Sequence, residues 1–144
     1  MRVVIVVVGK IKDRGLRDLI ADYVERISHY AKVSELELTD DDTVEARMRK
    51  AIPDRARVVA LEVEGTRMTS PALARFVGQC ESGAVPAIVF LIGGSYGLPK
   101  AISDEASLKL SLSDLTLPHR LARLFLVEQI YRAFTILRNE PYSH

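Results

Sequence analysis

Val3-Val4-Ile5-Val6-Val7-Val8, closed by Gly9, is the stretch on which the fold turns. Six consecutive β-branched residues leave no polar side, so a strand made of them must be covered on both faces, the condition of a parallel sheet with helices above and below. Val33 to Leu38, Val58 to Val63 and Ala87 to Ile92 read as further strands, and Leu108 to Leu115 as a mixed stretch holding a short one. Between them, apolar residues recur at helical spacing. Leu16 to Ile27 is an amphipathic helix, and a short helix from Thr43 through Ala51 follows Asp40-Asp41-Asp42, which reads as its cap. Ser70-Pro71 starts a helix to about Cys80, Pro99 opens one to about Ser107, and the last runs from near Pro118 to Leu137. This alternation predicts an α/β fold: a mainly parallel sheet of five to six strands with helices on both faces, residues 1–144 forming a single domain.

The composition excludes whole classes. A hydrophobic fraction of 48% with 27% charged residues fits a globular protein, neither disordered nor membrane-embedded. The six-residue run at Val3 is far short of the about 20 needed to span a bilayer, and no cationic leader precedes it, so the expected location is cytoplasmic. Cys80 stands alone, which excludes an internal disulfide, and neither it nor His29 has partners at metal-ligand spacing, so no metal is expected. The net charge is only +1. A protein that grips naked nucleic acid usually carries a strong basic excess, so such a partner must be met by a local patch, a dimer or a preassembled particle.

In parallel α/β sheets, ligands gather outside the carboxyl ends of strands, here the loops after Val8, Val63, Ile92 and Leu115. Gly93-Gly94-Ser95-Tyr96-Gly97 follows a buried strand and precedes a helix. Bare backbone of this kind admits a ligand closely, and it serves a tight ligand-free turn equally well. It matches neither G-x-G-x-x-G nor a Walker motif, which disfavours nucleotide phosphate cradles. Ser111 to His119 runs through Leu117-Pro118 into the first turn of the last helix. A histidine there is discouraged from protonating by the helix N-terminus and is available as a base, although a first-turn histidine facing water is the commoner case. The last helix carries Leu121, Leu124, Val127, Tyr131 and Phe134 on one stripe, a face wide enough for central burial or an oligomer contact. Arg120, Arg123, Arg132 and Arg138 make it locally basic, and Glu128 stands four residues before Arg132, at ion-pair spacing.

Taken together, Phe90-Leu91-Ile92-Gly93-Gly94-Ser95-Tyr96-Gly97-Leu98, Leu115-Thr116-Leu117-Pro118-His119, Glu128-Gln129-Ile130-Tyr131-Arg132-Ala133 and Pro141-Tyr142 resemble one family closely, the SPOUT-class ribosomal RNA large-subunit methyltransferases H. The resemblance covers the whole length in element order and is residue-specific over the last third. It implies a cytoplasmic homodimer that uses S-adenosylmethionine to methylate N3 of a pseudouridine in 23S ribosomal RNA within the assembled ribosome. It also implies a C-terminal trefoil knot, which periodicity alone would never suggest. Carried over by residue, the cofactor contacts fall on Leu61, Gly93 and Gly94, and on Ser113, Asp114, Leu115, Thr116, Leu117 and Pro118. Acceptor-side catalytic roles fall on His119, Arg132 and Tyr142, with Glu128 in support. Family members commonly end in Pro-Tyr-His plus a basic residue or two, whereas here Ser143 separates Tyr142 from His144. The segment between Asp40 and Pro53 is also short for the family.

The chemistry is coherent with these residues. A sulfonium methyl is already an activated electrophile, so the protein needs no metal or covalent nucleophile; it must exclude water and align the acceptor nitrogen. That nitrogen loses a proton near the transition state, which calls for a neutral base or a group that stabilises the developing anion, and His119 and Arg132 both qualify. The competing classes are a ribosome-associated binding protein without catalysis and a flavodoxin-like small-molecule enzyme. Against the latter stands the absence of any phosphate or flavin signature. Tyr142, on a terminal tail, is expected to become ordered only when substrate or a partner subunit closes over it.

Overall fold

The computed structural model describes residues 1–143, so His144, the tail histidine of the resemblance, lies outside the described residues. Five strands, β1 (Arg2–Val8), β2 (Lys32–Leu38), β3 (Arg57–Arg67), β4 (Ala87–Ile92) and β5 (Leu108–Ser111), form one sheet in the order β2-β1-β4-β3-β5, every pair parallel. The helices are α1 (Arg14–Ile27), α2 (Val44–Ala51), α3 (Ser70–Ser82), α4 (Lys100–Glu105) and α5 (His119–Leu137), followed by a 3-10 turn at Pro141–Ser143.

The valine run does what its composition demands. β1 is central, and its side chains alternate between two separate cores. Val3, Ile5 and Val7, with Ile88, Phe90 and Ile92 of β4, face the layer of α1, α3 and α5. Val4, Val6 and Val8, with Val89 and Leu91, face Met48 of α2 and Ile102 of α4. Phe90 and Phe134 are fully buried, and truncating either to alanine costs about 3–5 kcal/mol. β2 is an edge strand that alternates exposed and half-buried residues. Its Glu35 and Glu37 receive the buried guanidinium of Arg123 from α5 at 2.9 and 2.7 Å.

Several boundaries differ from the sequence expectation. α3 is capped by Thr69, whose hydroxyl accepts from Ala72 N at 3.2 Å, and Ser70 is its first residue. Asp41 accepts from the backbone and hydroxyl of Thr43 at 2.9 and 2.6 Å, organising the turn before α2 rather than capping its first-turn amides. β3 extends to Arg67, with a register shift against β5 between Leu61 and Thr66. Such irregularities re-aim side chains beside functional sites. Gly65 is needed there, because a Cβ would sit 2.7 Å from the Lys109 carbonyl oxygen. β5 stops at Ser111, because Ser111 and Ser113 hydroxyls bond to local backbone, at the Ser113 carbonyl (3.2 Å) and the Leu115 amide (2.9 Å), and turn the chain out of the sheet.

Candidate functional site

The carboxyl ends of β3, β4 and β5 and the start of α5 enclose a cleft of about 350 Å3. Leu61, Ile92, Leu110, Leu112 and Leu117 supply apolar walls. Gly93, Gly94, Ser95 and Gly97 form one rim, and Ser113, Leu115, Thr116 and His119 form the opposite one. The glycines have separate jobs. A Cβ on Gly93 would collide with the Gly97 carbonyl carbon and come within 2.6 Å of Leu98 N, so the loop can fold back on itself only with glycine at this position. Gly97 sits at φ +80 and returns the chain, its amide donating to the Gly94 carbonyl at 3.0 Å. A Cβ on Gly94 would meet Asp40 Oδ2 and Val8 Cγ1 at 3.1 Å, close but not blocked by backbone.

Of the residues singled out for the cofactor, Leu61, Gly93, Gly94, Ser113, Leu115, Thr116 and Leu117 all line this cleft. Asp114 and Pro118 do not. Asp114 pairs with Arg67 at 2.8 Å in the open, and Pro118 occupies the cap position of α5, its carbonyl accepting from Leu121 and Ala122. Glu62, beside the β3 irregularity, also lines the cleft, and no sequence motif marks it. The cleft has the shape and chemistry for an adenosyl group: apolar walls for a ring, bare backbone for close approach, and a carboxylate and hydroxyls at the rim. No cluster of three or more potential metal ligands exists among the described residues.

His119 is the first residue of α5 and stands on the cleft rim, its ring carbon 3.9 Å from where a Gly9 Cβ would lie. Arg132 and Tyr142 are elsewhere. Arg132 lies thirteen positions beyond His119 on α5, about 20 Å along the axis. Around Arg132, Glu128 is the hub: its Oε1 accepts from Arg132 Nε at 3.0 Å and Nη2 at 2.6 Å, and from Tyr142 Oη at 3.0 Å. Its Oε2 accepts from Gln129, whose own Oε1 accepts from Ser70. The Tyr142 ring packs edge-on against Tyr131 at 4.6 Å beneath the Arg132 guanidinium at 5.0 Å, and its hydroxyl lies 3.3 Å from that of Tyr23. Burial, with Tyr23 and Glu128 as hydrogen-bond partners, pushes the Tyr142 phenol well above its ordinary value. Tyr142 is therefore held within one chain and does not wait for substrate or a partner to order it. Glu128 also raises the Arg132 guanidinium above its usual value, so Arg132 stays protonated and is unsuited to accept a proton.

The basic face expected along α5 is mostly neutralised. Arg123 is buried against Glu35 and Glu37, Arg132 is paired with Glu128, and Arg138 with Glu81 at 3.0 Å. Arg120 is the member of the set with no such pairing among the described residues. The apolar stripe also divides. Val127 and Phe134 are fully buried in the chain's own core, which explains most of its width, while Leu121 and Phe125 remain 42% and 38% exposed. With Leu19, Tyr23, Leu117 and Leu124 they line a groove of about 370 Å3 between the cleft and the Arg132 cluster.

A family model described as "Predicted SPOUT methyltransferase" matches residues 1–144. A ribosomal RNA large subunit methyltransferase H from Sorangium cellulosum is 43% identical over 145 residues, covering 100% of both chains. Its namesake from Geobacter metallireducens is 40% identical over 153 residues, covering 100% of this chain and 99% of that one. Among solved structures, a probable methylase family protein from Haemophilus influenzae superposes with a TM-score of 0.57 at 12% identity, covering 99% of this chain and 70% of the other. A chain from a study of 2-OH methylation of C/U34 on tRNA gives a TM-score of 0.53 at 17% identity, covering 96% and 98%. At such identities the structural likeness speaks to the fold alone.

Proposed function

Because the chain belongs to the SPOUT methyltransferase family, and within it to the ribosomal RNA large subunit methyltransferases H, we propose that it transfers a methyl group from S-adenosylmethionine to N3 of a pseudouridine in 23S ribosomal RNA, in the assembled ribosome. The observation that carries this reading is the glycine-backed cleft with His119 on its rim, at the strand ends where an α/β sheet binds ligands. When bound there, the cofactor supplies the activated methyl. Gly93 and Gly94 would present backbone to the adenosyl group, and Leu61, Leu115 and Leu117 would exclude water from it. His119 would take the proton from the acceptor nitrogen, and the Arg132 guanidinium would stabilise the negative charge that develops on the base. Tyr142 would set the plane against which that base rests.

Those acceptor-side residues cannot meet within one chain, and a homodimer resolves the gap. The midpoint of positions 119 and 132 falls between residues 125 and 126, beside Phe125, which with Leu121 is exposed on α5. A two-fold axis at that level, with the two α5 helices antiparallel, would bring His119 of each subunit to the axial level of the partner's Arg132. The family also implies that α5 is threaded through a trefoil knot, which would fix the loop of residues 112–118 against the cofactor. A cytoplasmic ribosome is the substrate particle this reading requires.

The test is calorimetric titration with S-adenosylmethionine, followed by methyl transfer to intact ribosomes and to protein-free 23S RNA. Micromolar cofactor affinity and transfer favouring intact ribosomes are expected. No heat of binding, or transfer to a nitrogen other than pseudouridine N3, overturns the proposal.

A further inference from the structure

A second recess, of about 450 Å3, opens on the other side of His119, and Lys10, Lys12 and Arg120 line it. The sequence places them there for identifiable reasons. Gly9 adopts φ +100 at the end of β1 and donates its amide to the Leu38 carbonyl at 2.8 Å, which turns the chain abruptly out of the sheet. Residues 10–12 then cross in front of α5, and Arg17 fixes them by donating Nη1 to the Ile11 carbonyl at 2.8 Å. Asp13 is the one carboxylate in the lining, and it is committed to capping α1, accepting from Leu16 N at 2.8 Å.

What sets this spot apart is the convergence of unpaired cations on one recess, since other Lys and Arg residues, Lys50 and Arg75 among them, also lack an ion pair among the described residues. Arg17, Arg26, Arg49, Arg67, Lys100, Lys109, Arg123, Arg132 and Arg138 all have a carboxylate within 4.0 Å. Among the described residues, no ion pair involves Lys10, Lys12 or Arg120. In a chain with a net charge of +1, three cations against the single carboxylate of Asp13 around one recess leave a local positive excess. The start of α5 adds to it, since no side chain caps its first turn and its leading amides face an anion favourably.

We propose that this recess binds a backbone phosphate of the RNA strand that carries the acceptor nucleotide, and so sets the register in which that nucleotide reaches His119. The inference rests on the RNA methyltransferase reading above and goes beyond it by assigning the phosphate contact to particular side chains. Phosphate contacts fix position while base contacts specify, and a phosphate clasp sharing His119 with the catalytic cleft meets that requirement. The same cations would also attract the carboxylate of the cofactor's methionine moiety, so the experiment must tell the two anions apart.

The variants are Lys10→Ala with Lys12→Ala, and separately Arg120→Ala. Lys50→Ala with Arg75→Ala serves as a control that removes two exposed cations from α2 and α3. Three quantities are read for each: cofactor affinity by calorimetry, ribosome binding without cofactor as a function of salt, and KM for ribosomes. The recess variants should keep wild-type cofactor affinity, lose about one unit of log–log salt slope per cation removed, and raise KM about tenfold per charged contact. The control should resemble wild type. Wild-type slopes in the recess variants overturn the phosphate site, as does a fall in cofactor affinity, which would assign the recess to the methionine carboxylate. A wild-type protein that binds ribosomes with the recess-dependent slope yet transfers no methyl overturns the enzymatic reading and leaves the phosphate site standing.

Discussion

Glu128 and Tyr142, fourteen residues apart, are joined by a 3.0 Å hydrogen bond that latches the C-terminal turn onto α5, and the same carboxylate oxygen holds two nitrogens of Arg132. The carboxylate therefore positions Arg132 and Tyr142 at once. Glu128→Gln keeps the shape but surrenders the charge, leaving Arg132 free to swing. We expect kcat to fall about 10–100-fold through misplacement of Arg132 and Tyr142, with cofactor affinity unchanged. A uniform loss of kcat and cofactor binding would show instead that Glu128 supports the fold.

The two cleft glycines should respond differently. Gly93→Ala drives a methyl into the Gly97–Leu98 backbone, so the loop must open, and both thermal stability and cofactor affinity should drop. Gly94→Val adds bulk against side-chain atoms of Val8 and Asp40 rather than against backbone, so it should fold and yet fail to bind S-adenosylmethionine. A folded Gly94→Val protein with wild-type affinity would place the adenosyl group elsewhere.

Subunit exchange tests the shared site. His119→Ala and Arg132→Ala should each be nearly inactive alone. Mixed and allowed to exchange, half of the dimers become hybrids, each with one intact site, so activity should recover to about a quarter of wild type. No recovery in a verified hybrid means that each chain uses its own His119 and Arg132. Leu121→Asp or Phe125→Asp should yield inactive monomers by light scattering.

Two of the five tyrosines should titrate late. Burial, reinforced by Glu140, raises the Tyr30 phenol from 10.0 to about 12, and Tyr142 is raised as well. A raised value means that folding favours the neutral phenol. The corresponding stability is complete below pH 10, where unfolded tyrosines are neutral, and is lost as pH climbs from 10 through about 12. Urea midpoints should decline across that window, and phenolate absorbance should show two delayed groups, one of them missing in Tyr142→Phe. Five simultaneous ionisations would contradict the packing around both rings.

How much of this was legible in the sequence follows from the range of each interaction. The β1 valines and the β4 run declared a two-faced sheet, because a run without a polar side is a local property; the strand-end rule pointed only to loops, and the cofactor roles of Gly93, Gly94 and the segment before His119 came from the family resemblance. Glu62 was marked by no motif, although it adjoins Leu61 at the β3–β5 register shift beside the cleft. Arg123 read as part of a basic face because its partners lie 86 and 88 residues away on β2, and Tyr142 read as loose because Tyr23 is 119 residues distant. Helical spacing showed how wide the apolar face of α5 is, but could not apportion it between the core and a partner.

The charges that β2 turns toward α5 have a consequence for how copies of this protein can join. An edge strand is an open template onto which a neighbour's strand can add, and carboxylates directed inward, such as Glu35 and Glu37, spoil that template, because an incoming strand would have to lie beside a charge pair it cannot share. The far edge offers little more, since β5 is only four residues long and pairs with a strand whose register breaks beside it. Continuous sheets across subunits, and the runaway stacking they invite, are thereby disfavoured, which suits the helix-to-helix dimer proposed above.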